Sequence, residues 1–358
     1  MNAAASDSPR NNELTAARLK ALAFIRAEQG DSDHLPIQLF NPNRPDRTTC
    51  SSSYAALALS ADSGRESLAI RRKLVTFIRS RRDWPGLWRD FGQQSLIPAD
   101  LDNSALGQIV LTMHGVSCWR TDWLFYLHRH REGMFYAWMM PGNVVTLNPL
   151  YWLLALRDLT PARLHFRYFG YWKTSGKAHP RQYHIISNTH IIHYLGDTPK
   201  SSAAIDWIVD TVNTGREFER EIYYRDPEFF YVAIGRAYKA GITRFGQLGD
   251  IIERRIAERS SAEGCIGQSA FSTAAACAAL LHLGRCGNVV KIAISWLIST
   301  QEEDGGWPAA GLYYDGPPPS NMDWGSRALT TAVVVEALAL FEKWELEKWE
   351  LEKSPRRS

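Results

Sequence analysis

Two aspartates one residue apart, Asp100 and Asp102, follow Pro98 and lead into a run of small and apolar residues, with Asn103 and Ser104 next in line. Carboxyl groups paired in this way suit acid chemistry. A buried carboxyl beside a second negative charge keeps its proton to higher pH than an isolated one, so it meets its substrate protonated. At a helix N-terminus, the carboxylate left after proton transfer is stabilised by unpaired backbone N–H groups. Asn103 or Ser104 is expected to hydrogen-bond that carboxylate. Protonation of an alkene, which needs a stronger acid than most side chains provide, is the demanding reaction such a site could serve. A second reading stays open: Asp-x-Asp-Asn-Ser is also good capping chemistry for a helix at a surface turn.

A second constellation lies two hundred residues on. Gln301, Gly305 and Trp307 form Gln-x3-Gly-x-Trp. Related turns recur as Gly86-Leu87-Trp88, Gly133-Met134-Phe135 and Gly264-Cys265-Ile266. The tryptophans of these turns are expected to tie helices together rather than to touch a ligand.

Positioning such residues falls to helices, because the chain shows helical periodicity throughout and no convincing alternating strands. Small, apolar segments begin near Cys50, Asp102, Ile186, Pro227, Ala270 and Ser326, each preceded by a more amphipathic segment near 13–28, 65–81, 119–131, 202–213, 244–258 and 289–300. Helices apolar all round sit inside and one-faced helices outside. Outer–inner pairs recurring at such spacings predict an all-α architecture, an (α/α)6 toroid whose inner helices ring a central cavity. A plain α-solenoid is the alternative. Residues 1–12 are expected to be loose, 13–340 to form the single toroid, and 341–358, with its repeated KWELE, to be a charged, fraying helical tail.

One spacing, from Asp102 to Ile186, is roughly twice the others and places an insertion at about 141–182. Pro141, Gly142, Asn148 and Pro149 interrupt its apolar part, whereas a spanning helix needs about 20 uninterrupted apolar residues. Arg157, Arg163, Arg167, Lys173, Lys177 and Arg181 follow, interleaved with Phe166, Tyr168, Phe169, Tyr171 and Trp172. Apolar bulk beside basic residues suits an interfacial segment, so peripheral membrane contact through 141–182 is expected. A helical excursion packed on the barrel fits the same residues.

Aromatic content is high, with 13 Trp, 14 Tyr and 14 Phe. Most pack cores. Those near the starts of inner helices are candidates for a cavity wall: Tyr136, Trp138, Tyr223, Tyr224, Phe229, Phe230, Phe271, Tyr313, Tyr314 and Trp324. His190 and His193 share a helix face and are expected to be core or solvated.

The Gln301–Trp307 turn is similar to the QW turn that closes repeats in squalene-hopene and oxidosqualene cyclases. Asp100–Ala105 resembles the Asp-x-Asp-Asp-Thr-Ala segment of class II terpene cyclases. Together they give a resemblance to the single-domain, merosterolic acid synthase-like class II cyclases, spanning roughly residues 13–340. That resemblance implies that Asp102 is the proton donor, with Asp100 at the first motif position and Ser104 at the threonine. It also implies a linear polyprenyl chain, on a prenylated aromatic substrate, cyclised through carbocations with no cofactor. The chain departs from the family at Asn103, where the second consecutive aspartate usually stands; the change removes a charge that would help keep the donor protonated. A non-catalytic toroid binding a prenyl lipid or a protein is the other reading.

What the sequence lacks narrows the choice. It has no Asp-Asp-x-x-Asp to ionise a diphosphate with magnesium, no Gly-rich phosphate loop, no His-Glu-x-x-His and no Gly-x-Ser-x-Gly. No metal site is expected: the cysteines Cys50, Cys118, Cys265, Cys277 and Cys286 include no Cys-x-x-Cys pair, and their odd number argues against a disulfide framework. A net charge of +3 without a lysine-rich block speaks against nucleic acid. The N-terminal residues carry no apolar secretory segment, so a cytoplasmic location is expected.

Overall fold

The computed structural model describes residues 9–40, 43–46, 48–90, 99–116, 121–139, 146–158, 183–224, 226–315 and 322–353. In chain order the elements are α1 (Pro9–Gln29), β1 (Ile37–Phe40), β2 (Asn43–Asp46), α2 (Thr49–Ala58), α3 (Arg65–Ser80), α4 (Leu101–Met113), α5 (Asp122–Leu127) and α6 (Pro149–Asp158). There follow α7 (Ile185–Leu195), α8 (Ser202–Thr214), α9 (Pro227–Lys239), α10 (Gly249–Glu258), α11 (Ala270–His282), α12 (Asn288–Ser299), β3 (Ala310–Asp315), β4 (Met322–Ser326) and α13 (Arg327–Lys353).

The inner ring closes. Helix α2 packs on α4, α4 on α7, α7 on α9, α9 on α11, α11 on α13, and α13 returns to α2. Alanine-rich stretches make this possible. The α11 segment AFSTAAACAALLH is buried over nearly its whole length, and small side chains let neighbouring backbones approach on both flanks. The outer helices are one-faced by contrast: α3 buries Ser67, Ile70, Leu74, Val75, Phe77 and Ile78 and turns its arginines outward. Three inner helices begin at side-chain caps, with Thr48, Asp100 and Ser269 accepting from the N–H of Ser51, Asn103 and Ser272. Each cap contributes about 1 kcal/mol.

The glycine turns are one device used four times. Trp88 and Trp307 each send Nε1–H back to a carbonyl of the preceding outer helix, Ile78 at 2.8 Å and Leu297 at 3.0 Å. Their backbone N–H groups bond hydroxyls of the following inner helix, Ser104 and Thr331. The N–H of Ile266 likewise bonds the Thr273 hydroxyl, and that of Phe135 bonds the Asn188 amide oxygen. Gly305 (φ +92°) shows why no side chain fits here, since a Cβ would lie 2.6 Å from the Lys20 carbonyl. Gln301 Nε2 donates to Ala17 O and Gly305 O, both at 2.9 Å, stitching the last repeat to the first.

Two features differ from the sequence-based expectation. A four-stranded sheet, ordered β2-β1-β4-β3 and antiparallel, lies between the first and last repeats. Its strands are only 4 to 6 residues long, too short to display alternation, and their pairing joins distant parts of the chain. Helix α13 also continues unbroken to Lys353, and the start of the charged tail packs: Trp344 stacks on Phe341 and receives Lys291 over its face. Of the insertion at 141–182, residues 146–158 are described and the rest lies outside the described residues. There α6 buries Tyr151 and Leu154 with Leu87, Ala99 and Leu124. No described helix is long and apolar enough to cross a membrane.

Candidate active site

Most residues of the site lie at or just before the N-termini of inner helices, and His190 and Tyr54 lie midway along α7 and α2. Asp100 is the N-cap of α4, and its backbone is clamped between Trp88 and Trp138 by isolated β-bridges. Its carboxylate turns back on the helix, accepting from Asn103 N at 2.6 Å and Asn103 Nδ2 at 2.9 Å. Asp102, one residue into the first turn, projects instead toward the barrel interior. Its Oδ1 lies 2.6 Å from His190 Nδ1 and its Oδ2 accepts from the Tyr224 hydroxyl at 3.2 Å. His190 Nε2 in turn lies 3.0 Å from the Tyr54 hydroxyl. Four inner elements (α2, α4, α7 and the approach to α9) thus converge on one carboxyl group.

Electrostatics divide the two aspartates. Burial and the charge of Asp102 push Asp100 up to about 8, against the opposing hydrogen bonds from Asn103. Burial also pushes Asp102 up, but the charge and hydrogen bond of His190, helped by His184 and Tyr224, hold it below the usual carboxylate range. Like-charge repulsion therefore falls on Asp100 rather than on Asp102, the reverse of the expectation from spacing alone. The histidine is the reason.

The supporting residues are also reassigned. Asn103 orients Asp100, not Asp102, and its Oδ1 has no hydrogen-bond partner among the described residues. Ser104 donates to the Asp100 carbonyl at 2.6 Å and accepts from Trp88 N, so it fixes the turn rather than the acid. His190, expected to be core or solvated, is buried directly on the acid.

Of the wall candidates, seven gather around this point. Tyr224 stacks on Phe229 (4.7 Å, 19°) and Phe229 on Phe271 (5.7 Å, 23°). Tyr313 stacks on Trp324 (6.4 Å, 21°) and meets Tyr224 edge-on at 6.3 Å. Trp138 meets Tyr223 edge-on at 6.4 Å, and Tyr223 meets His184 at 5.2 Å. The remaining three do not join them. Tyr136 pairs with His130, and Phe230 is buried beside its neighbour Tyr231; the Tyr314 side chain lies outside the described residues.

Sequence reasoning missed several groups here. Tyr54 sits against Phe229 at 4.6 Å, T-shaped over His190. Burial pushes the Tyr54 and Tyr224 hydroxyls and the Cys50 thiol well above their ordinary values, so all three are neutral. Asp90 accepts from Cys50 N at 3.1 Å and from the Tyr313 hydroxyl at 2.6 Å. His184 pairs with Glu221 at 3.3 Å, and that charge raises its proton affinity against the cost of burial. The one available signal was a polar residue inside an otherwise apolar inner segment, which His190 and Tyr54 both satisfy. Among the described residues, no three His, Cys, Asp or Glu side chains converge as metal ligands.

No family sequence model and no curated protein sequence matches the chain. Solved structures do. A protein from Actinoplanes superposes with a TM-score of 0.68 at 16% identity, covering 91% of this chain and 99% of its own. The type II terpene cyclase MstE from Scytonema superposes with a TM-score of 0.65 at 16% identity, over 92% of this chain and 98% of that one. The fold is that of a class II terpene cyclase. MstE variants have been solved with geranylgeranyl dihydroxybenzoate, its substrate, and with merosterolic acid A, its product. The ent-copalyl diphosphate synthase from Streptomyces platensis is also similar (TM-score 0.50, 16% identity), with 82% of this chain matched to 50% of that one.

Proposed function

We propose that the chain is a class II terpene cyclase that protonates the terminal isoprene unit of a prenylated aromatic substrate. The observation that carries this reading is a buried carboxyl, Asp102, held on one oxygen by His190 and on the other by the hydroxyl of Tyr224, a ring packed among Phe229, Phe271, Tyr313 and Trp324. With Oδ1 engaged by the imidazole, a proton on Oδ2 is the one available to an alkene. Donation leaves a carboxylate supported by His190, by the Tyr224 hydroxyl and by the N-terminus of α4, which makes Asp102 the stronger acid of the motif.

The tertiary cation so formed is attacked by the next double bond, and the charge moves along the chain as rings close. Tyr224, Phe229, Phe271, Tyr313 and Trp324 present faces and edges to that path, each desolvated face contributing on the order of 1–2 kcal/mol. Their close packing also excludes water that would quench the cation. The complexes of MstE with a geranylgeranyl aromatic acid support a prenylated aromatic as the substrate class. Incubation with a panel of prenylated hydroxybenzoates and prenyl diphosphates tests the reading. A cyclised product isomeric with its substrate is expected; binding of the same compounds without conversion would support a lipid-binding toroid instead.

Contact with a bilayer belongs to the same reading, because such substrates partition into lipid. Helix α6 and its approach expose Leu147 fully, Leu153 at 62% and Leu156 at 65%, and six basic residues against one acidic follow from 157 to 182. That combination supports a peripheral, cytoplasm-facing attachment to anionic lipid. Liposome flotation should show wild type in the lipid fraction at low salt, and Leu153→Asp/Leu156→Asp largely released. Wild type remaining free of anionic vesicles would contradict the attachment.

A further inference from the structure

An acid that starts a cation cascade does not end it, and a second carboxyl, for which the initiation step has no use, lies close to the site. Asp90 is buried where the chain passes the N-terminus of α2. Thr49 N–H bonds its carbonyl at 2.8 Å, and Cys50 N–H bonds Oδ1 at 3.1 Å. Its other oxygen, Oδ2, accepts the Tyr313 hydroxyl at 2.6 Å, a contact spanning 223 residues of sequence and joining β3 to the first repeat. The carboxylate is thus fixed at both oxygens, one by a helix N-terminus that favours its negative charge. Tyr313 is fixed in turn by stacking on Trp324, its partner across β3–β4. Its ring stands edge-on to Tyr224, whose hydroxyl touches Asp102. Acid and phenol therefore both meet the Tyr224 side chain, Asp102 at its hydroxyl and Tyr313 edge-on at its ring.

We propose that Tyr313, backed by Asp90, is the base that ends the cascade. This rests on the cyclase reading above. A carbon beside a tertiary cationic centre gives up its proton to very weak bases, so placement rather than basicity selects the acceptor. The phenol oxygen of Tyr313 takes that proton while its own O–H proton passes to Asp90 Oδ2. The C–H electron pair becomes the new C=C bond, the cation is neutralised, Tyr313 is again a neutral phenol and Asp90 a neutral acid. One proton enters at Asp102 and one leaves at Asp90, so product and substrate are isomers. Exchange with solvent then deprotonates Asp90 and reloads Asp102. Because the phenol lies one aromatic ring away from the donor, termination is expected close to the initiating end, after few ring closures.

Product identity, rather than rate, separates this role from a purely structural bond. Wild type, Tyr313→Phe and Asp90→Asn are each incubated in deuterated water with whichever prenylated hydroxybenzoate the wild type converts, and the products are resolved by mass. Both variants are expected to take up the first deuterium but to yield about a hundredfold less of the wild-type olefin, as for loss of a general base. Products heavier by one water, or stopped at a different ring, should replace it. Tyr313→Phe keeps the aromatic wall, and Asp90→Asn keeps a hydrogen-bond acceptor of the same shape, so a folding defect in one leaves the other to decide. The same olefin in the same proportion from a folded variant overturns the dyad while leaving the cyclase reading intact. A wild type that converts nothing on the panel contradicts the cyclase reading, and the dyad with it.

Discussion

Two buried clusters of ionisable groups occupy opposite ends of the inner helices, and they are built on different principles. At the C-terminal end, Arg236 of α9 grips Glu336 of α13 through both carboxylate oxygens, at 2.9 and 2.5 Å, and His282 of α11 adds 2.9 Å to Oε1. Burial opposes ionisation of Glu336, but Arg236 and His282 outweigh it and hold the carboxyl at about 2. Every acid there has its cation. At the N-terminal end, His190 engages Asp102, whereas Asp100 is held by the amides of Asn103, and burial with the charge of Asp102 pushes it up to about 8. A fully compensated pair holds helices together; at the other end one carboxyl keeps its proton beside a second that ionises readily. Tyr54 touches both clusters, with Arg236 6.0 Å over its ring and its hydroxyl on His190.

The contrast breaks most visibly in stability. Glu336→Ala leaves the Arg236 guanidinium buried and unpaired, and a loss of about 3–5 kcal/mol is expected, the usual cost of halving a buried pair. Asp100→Asn, which removes a group that burial already disfavours in its charged form, should leave thermal unfolding as in wild type or raise it near pH 8. Thermal denaturation of the two variants beside wild type checks both. Equal losses would erase the distinction between the ends.

The two ends should also respond to opposite limits of pH. Glu336 has a depressed folded value, so its stabilisation is present above its ordinary value of 4.5 and is lost as pH falls toward 2. Asp100 has a raised folded value: the folded state holds a proton that the unfolded chain releases. Its contribution is therefore complete below 3.8 and declines as pH rises toward 8. Activity should show the same titration. Ionisation of Asp100 places a second charge by Asp102 and raises the proton affinity of the donor, which changes both how much of it is protonated and how strong an acid it is, so the activity profile should change slope near pH 8. In Asp100→Asn that alkaline limb should be absent; its persistence would assign the limb to another group.

A smaller effect sharpens the comparison. Asn103→Asp replaces an amide that donates to Asp100 by a third carboxyl. The added charge should move the alkaline limb to higher pH, with less than about tenfold change in the plateau, since Asn103 does not touch Asp102. A change of a hundredfold or more would show that position 103 acts on the donor after all.

How much of this was legible in the sequence follows from how local each signal is. The inner helices were, because small residues in unbroken runs mark segments packed on both sides; α2, α4, α7, α9, α11 and α13 begin within one residue of the predicted starts. The sheet was not, since β1 finds β4 across most of the chain. Asp102 was legible as the donor candidate from its motif, but its electrical state was not. That state depends on His190, 88 residues away, on a helix whose composition is that of plain core. Asp90 lies in an aperiodic turn after Trp88 and gives no local sign that Tyr313 will reach it.

Deuterium uptake with and without the Asp102 carboxyl tests the central claim most directly. Wild type and Asp102→Asn would be incubated with a prenylated hydroxybenzoate in deuterated water, with product mass and label position read by mass spectrometry and NMR. The account predicts a wild-type product one mass unit heavier, labelled at the terminal isoprene unit, and turnover reduced by 10²–10⁴-fold in the variant. A labelled product formed at wild-type rate by Asp102→Asn would contradict it.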